Sequence, residues 1–229
     1  MNSIIQSLYH CESFRHSIVN LQHHQSQSNP SKDSFTALNE VFTSLNTSVN
    51  KKKSNIGSCS AIVKYLSINP GVQEDAQEFY LRLINTLSSD SKTTSTPNKS
   101  SIIDLFLGQS ENYIDCRDVP VSRRKIQRFK DISLPLQPTL HASLIDYLRP
   151  DLLDGDNKYK TDEYGKQVAY KGTRLIHLPR VLVFQINRFT YDLEMGSRYK
   201  VYTHTCRHLY TYLYTYSYTA ILYMRCICF

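Results

Sequence analysis

Apolar side chains recur at every third or fourth position near the start of the chain. Ile4, Ile5, Leu8, Cys11, Phe14 and Ile18 fall on one stripe, which predicts a first helix over residues 3–19. The polar run QHHQSQSNPSK then predicts a loop, and Phe35, Leu38, Val41, Phe42 and Leu45 predict a second helix. Beyond a basic loop at Lys51–Asn55, Ser58 is placed to cap a short helix through Leu66, stopped by Pro70 and Gly71. The next helix start is Gln73-Glu74-Asp75, where acids sit at the positive end of the helix dipole ahead of Phe79, Tyr80, Leu83 and Leu87. The stretch SSDSKTTSTPNKSS, residues 88–101, has too few apolar residues to fold on itself and predicts a low-complexity surface loop.

From residue 102 the period changes from helical to alternating. Tyr113, Ile114 and Val119 predict one strand, and Phe129, Ile132, Leu134 and Leu136 another. A helix over Ala142–Leu148 follows. Two apolar strands, Arg174–Leu178 and Val181–Phe189, are separated by Pro179. Gly155 and Asn157 in LDGDNKY suit positive backbone angles in a turn. Helices first and sheet second predict an α+β fold rather than a doubly wound one.

Composition narrows the function classes. The chain has 229 residues and 41% hydrophobic content, enough for a sizeable core. Its net charge is +7, but only Lys51 to Lys53 form a basic run, so the scattered cations do not make a nucleic-acid footprint. Cys11, Cys59, Cys116, Cys206, Cys226 and Cys228 have no metal-ligand spacing and follow no secretory signal, which predicts a reducing intracellular compartment, nucleus or cytoplasm. The uncharged stretch from Leu209 to Met224 is rich in Tyr and Thr and falls short of a membrane helix.

Three separated segments carry chemistry. They are MNSIIQSLYHCESFR at residues 1–15, QEDAQEF at 73–79, and the stretch from SLIDYLRPDLLDGDNKY to LPRVLVFQINRFTYD across 143–192. Together and in this order they resemble the ubiquitin-specific proteases, and most closely the herpesvirus-associated branch of that family. The resemblance implies a papain-like α+β fold of thumb helices with fingers and palm strands, and ubiquitin or ubiquitinated proteins as partners. On this reading residues 1–200 are an incomplete catalytic domain: residues 1–101 the helical thumb, 102–200 the fingers and palm, and 201–229 a tail outside the family pattern.

The resemblance also implies roles. Asp75 is the expected contact for ubiquitin's arginine-bearing tail, with Glu78 a weaker candidate and Gln73 beside it; without the resemblance, an acid at a helix start reads as a simple dipole partner. Arg188, Phe189 and Tyr191 are expected at the cleft floor, with Arg188 on one strand face and the two aromatics on the other. Catalysis needs a thiolate, an imidazole base and an orienting group together. The family's nucleophile is expected two residues before Met1. His204 and His208 lack the Gly and Tyr neighbours of the family's histidine box, and Lys200 at best matches the strand before it. Cys11 lies on an apolar stripe, where a thiol acts as a small hydrophobe. No catalytic residue is therefore expected in this chain, and the polypeptide is expected to be inactive. Zinc is not expected either, because Cys116 lacks the paired cysteines of a tetrahedral site, and no other cofactor is implied.

Tyr210, Tyr212, Tyr214, Tyr216 and Tyr218 alternate strictly with Thr, Leu and Ser. This is the pattern of a strand with one aromatic face, and also of a short nucleotide repeat translated past an exon end, the favoured explanation. Cys226-Ile227-Cys228-Phe229 formally satisfies a prenylation pattern that four residues match easily by chance.

Overall fold

The computed structural model describes residues 1–21, 33–50, 58–69, 71–72, 75–93, 102–192, 195–200 and 220–224. The polar loop at 22–32, Gln73, Glu74, the tyrosine alternation, His204, His208 and the terminal Cys226–Phe229 lie outside the described residues. Helices and strands are largely segregated along the chain, as in an α+β fold, and the chain divides into two compact units, Met1–Phe106 with Leu222–Phe229, and Leu107–Ile221.

The first unit is helical: α1 (Asn2–His10), α2 (Glu12–Asn20), α3 (Ser34–Asn50), α4 (Ser60–Tyr65) and α5 (Ala76–Thr93). The helix expected over 3–19 is two helices. At Cys11 the backbone is extended, with ψ of 97°, and its N–H bonds back to Ser7 and Leu8 before Glu12 opens α2. The apolar stripe survives the break, with Ile4, Ile5, Leu8, Cys11, Phe14 and Ile18 all buried. Periodicity reports which face is buried, not whether the helix axis runs on. Phe14 meets Phe42 edge-on at 6.0 Å and Phe106 at 5.1 Å, and Phe106 in turn meets Tyr80 at 6.2 Å.

Residues 88–93, expected to open a surface loop, continue α5 instead. Leu87 is fully buried, and one oxygen of Asp90 accepts hydrogen bonds from the Ser34 N–H, the Ser34 hydroxyl and, at 2.9 Å, the Tyr65 hydroxyl. Three donors from α3 and α4 thus anchor the polar end of α5, which a local composition rule cannot see. Ser58 does not cap α4 as its N-cap residue; Cys59 holds that position, and Ser58 Oγ accepts from the Ser60 N–H at 3.2 Å. The far end of α4 closes in a Schellman motif, with Ser67 N–H on the Lys64 carbonyl, Ile68 N–H on Val63, and Ser67 at φ of 51°.

The second unit is built on strands: β1 (Gly108–Cys116), β2 (Ser122–Phe129), β3 (Ile132–Pro135), α6 (Leu140–Leu148), β4 (Asp151–Leu153), β5 (Tyr159–Thr161), β6 (Gly165–Gln167), β7 (Ala169–His177), β8 (Val181–Asn187), β9 (Phe189–Asp192) and β10 (Ser197–Lys200). A further strand lies at Ala220–Met224. Val119, expected in a strand, falls in the turn between β1 and β2. The polar and nearly wholly exposed β2 carries no apolar alternation to announce it. β3 and β8 pair in parallel, and Ile132, Leu134, Val183, Phe184 and Ile186 bury their side chains there. Thr139 caps α6 by accepting the Ala142 N–H at 3.0 Å, which starts the helix two residues earlier than expected. Gly155 takes φ of 52°, whereas Asn157 does not have the positive φ expected of it and ends a 3-10 turn.

β2, β1, β7 and β4 form an antiparallel sheet in that order. Register pairs Tyr113 with Arg124 on one side and Gly172 on the other. The guanidinium of Arg174 lies 4.3 Å from the Tyr113 ring centre and that of Arg124 5.2 Å. Arg124 also donates to Asp115 at 2.9 Å, and Arg174 lies 3.6 Å from Glu111. A cation–π sandwich with its carboxylates therefore ties three strands of a sheet with little apolar cover.

Partial burial pushes the Asp115 carboxyl up, but hydrogen bonds from Ser122 and Arg124 and the charges of Arg124 and Arg174 outweigh it and hold it below its ordinary value. A depressed carboxyl contributes stability that is present above its unfolded value, about pH 4, and lost as pH falls through the folded one. Thermal unfolding from pH 7 to pH 3 should show this acid limb flattened in Asp115→Asn. An identical limb in the variant would place the acid lability elsewhere.

Candidate functional site

Asp75 precedes the first turn of α5, and its Oδ1 accepts the N–H groups of Gln77 at 2.8 Å and Glu78 at 3.1 Å. Its own carbonyl accepts the Phe79 N–H at 3.0 Å. This is N-cap geometry, and Asp-Ala-Gln-Glu has the spacing of a capping box. The reason α5 starts here is thus local: an acid cap followed by the buried Phe79, Tyr80, Leu83 and Leu87.

The cap fixes an exposed carboxylate in space. Asp75, Gln77, Glu78, Leu81 and Arg82 line an open concavity of about 490 Å³. Asp75 and Glu78 are exposed and Gln77 half-buried. Arg82 reaches back to donate to the Leu66 carbonyl at 2.9 Å, tying α5 to the end of α4. The result is a rigid acidic rim beside an apolar patch at Leu81, suited to a cationic extended peptide. Leu81 and Arg82 were not expected in the site. Their signal is helical spacing, since Glu78 and Arg82 are four apart and share a face with Asp75.

The remaining expected residues lie in the second unit. Arg188 stands between β8 and β9 rather than within one strand, and it is buried, at 8% exposure. A strand running through it with simple alternation is therefore corrected. Phe189 and Tyr191 belong to β9, pairing in register with Lys200 and Arg198 of β10, and Gly196 turns the hairpin with φ of 61°. Gln73 lies outside the described residues.

Three described cysteines bear on nucleophilic chemistry. Cys11 is buried, Cys59 and Cys116 are half-buried, and burial pushes the Cys59 thiol up, away from the thiolate. Cys116 ends β1, its N–H donating to the Val121 carbonyl at 3.0 Å. Among the described residues no three His, Cys, Asp or Glu side chains gather as a metal site, and no helix is long and apolar enough to cross a membrane.

Comparison with known proteins covers nearly the whole chain. Residues 1–220 match the model of the ubiquitin carboxyl-terminal hydrolase family. The chain is 32% identical over 194 residues to ubiquitin carboxyl-terminal hydrolase 7 of Caenorhabditis briggsae, covering 83% of this chain and 17% of that protein. It is 32% identical over 207 residues to ubiquitin carboxyl-terminal hydrolase 15 of Schizosaccharomyces pombe, covering 88% of this chain and 17% of that protein. With ubiquitin C-terminal hydrolase 12 of Arabidopsis thaliana identity is 30% over 206 residues, covering 88% of this chain and 18% of that protein. The chain thus spans under a fifth of the length of these relatives.

Proposed function

Since the chain belongs to the ubiquitin carboxyl-terminal hydrolase family, we propose that it is the ubiquitin-receiving portion of a thiol-dependent deubiquitinase, an enzyme that hydrolyses ubiquitin–protein isopeptide bonds. The observation that carries this reading is the exposed Asp75 carboxylate, pinned by two backbone N–H groups at the rim of the α5 concavity. A carboxylate held in this way meets a guanidinium of ubiquitin's tail with little ordering cost, and such charge-assisted pairs are directional. Glu78 extends the acidic rim, and Gln73 is a further proposed contact with ubiquitin. Arg188, Phe189 and Tyr191, which belong to the strand unit, are further contacts with ubiquitin in this proposal.

Hydrolysis needs more than this surface. A thiolate and an imidazole act as a unit, and loss of both typically removes about a millionfold in turnover. The buried Cys11 and the raised thiol of Cys59 do not supply that thiolate. In our proposal the 229-residue polypeptide alone binds ubiquitin in a reducing intracellular compartment, nucleus or cytoplasm, without cleaving its C-terminal bond.

Asparagine caps a helix as well as aspartate does but carries no charge. Titration of labelled ubiquitin should therefore show saturable binding that weakens about tenfold in Asp75→Asn, or ~1.4 kcal/mol, with the melting temperature unchanged. Equal affinity in the variant would leave Asp75 a cap only. Release of fluorophore from a ubiquitin C-terminal reporter by the purified chain would overturn its silence.

A further inference from the structure

We propose that the outer edge of β2 is a docking strand for an extended acidic peptide, bound without any part played by Asp75. In the sheet order β2-β1-β7-β4, β2 is an edge, and among the described residues its only strand partner is β1. Seven of its eight residues are exposed, and Ile126 is 63% exposed. The strand reads SRRKIQRF, with four cations and no acid.

The cations differ in what already holds them. Arg124 is engaged by Asp115 and Glu111 within the sheet. Arg123 reaches Asp162 at 3.0 Å, a pair whose side chains are 61% and 90% exposed and so contributes little. Lys125 and Arg128 have no carboxylate within ion-pair distance among the described residues. Cations on an edge strand ordinarily prevent self-association, because two copies laid edge to edge would juxtapose like charges. The same charges favour an incoming strand of opposite sign.

Strand alternation specifies the partner further. Arg123 and Lys125 point to one face of the sheet, Ile126 and Arg128 to the other. An added strand places its residues directly opposite these, so it needs acids facing Arg123 and Lys125 on one side, and an acid facing Arg128 with an apolar residue facing Ile126 on the other. The chemistry recognised is a short extended segment of alternating acids with one apolar β-branched residue.

The test titrates the 229-residue chain with the fluorescein-labelled peptide Glu-Glu-Val-Glu-Thr-Glu in low salt. Saturable binding is expected, weakened at least tenfold in Lys125→Glu/Arg128→Glu and unchanged in Asp75→Asn. The milder Lys125→Gln/Arg128→Gln should weaken binding less, with an unchanged melting temperature. A peptide with proline in place of valine loses a ladder donor and should bind at least tenfold more weakly. Equal binding of the proline peptide would reduce the site to electrostatic adsorption and overturn strand addition. Retained affinity in the charge-reversed chain, or self-association of the wild-type chain through β2, would overturn it as well.

Discussion

Phe106→Ala is expected to cost about 3–5 kcal/mol, the largest single effect in the helical unit. Phe106 is fully buried, edge-on to both Phe14 and Tyr80, so its ring joins the α1–α2 stripe to α5 through a residue that belongs to neither. Its N–H donates to the Ile103 carbonyl at 3.0 Å, closing the turn that delivers the ring. Alanine removes the ring and leaves a cavity whose walls are themselves aromatic and rotamer-locked, which limits collapse. Urea unfolding followed by circular dichroism at 222 nm measures it, with Phe106→Leu as the control that keeps most of the volume. A loss below about 1 kcal/mol would mean that residues 102–106 are not packed into the helical core.

Gly172→Ala is expected to destabilise the four-stranded sheet by about 1–3 kcal/mol, the range for overpacking a filled site. A Cβ at position 172 would lie 2.6 Å from the Tyr113 hydroxyl oxygen and 2.7 Å from Cζ. The ring cannot step aside cheaply, because Arg124 and Arg174 face it and both are drawn to carboxylates. The glycine is thus required by a cross-strand neighbour, not by its own backbone angles. If so, Tyr113→Leu, itself costly, should make the second change to Gly172→Ala nearly free, a coupling that a double-mutant cycle isolates. Strict additivity of the two changes would sink the clash.

These two sites show what kind of information each level carries. Phe14 and Tyr80 were readable as core from spacing alone, since burial on one helix face imposes a period. Phe106 was not, because a residue at the junction of helix and strand has no period. The end of α5 departs from its local composition for a related reason: Ser88 to Thr93 look like loop residues, and only Asp90 meeting Ser34 and Tyr65 makes them helical. Asp75 is readable as a helix start, and family resemblance makes it an expected contact for ubiquitin. That it caps the helix and faces the concavity at once required the fold.

The α+β class, the family, the buried stripes and the acidic start of α5 followed from the order of the residues. Each is written in local period, in cap chemistry or in motifs whose order survives without coordinates. Tertiary structure decided the break at Cys11, the length of α5, the turn at Val119, the placing of Arg188 outside a strand, and β2. All of these depend on partners distant in sequence: a carboxylate satisfied from two other helices, or a polar strand stable only because β1 supplies its hydrogen bonds and Asp115 its counter-charge. Local pattern encodes which face of an element seeks cover; only the assembled chain determines what covers it.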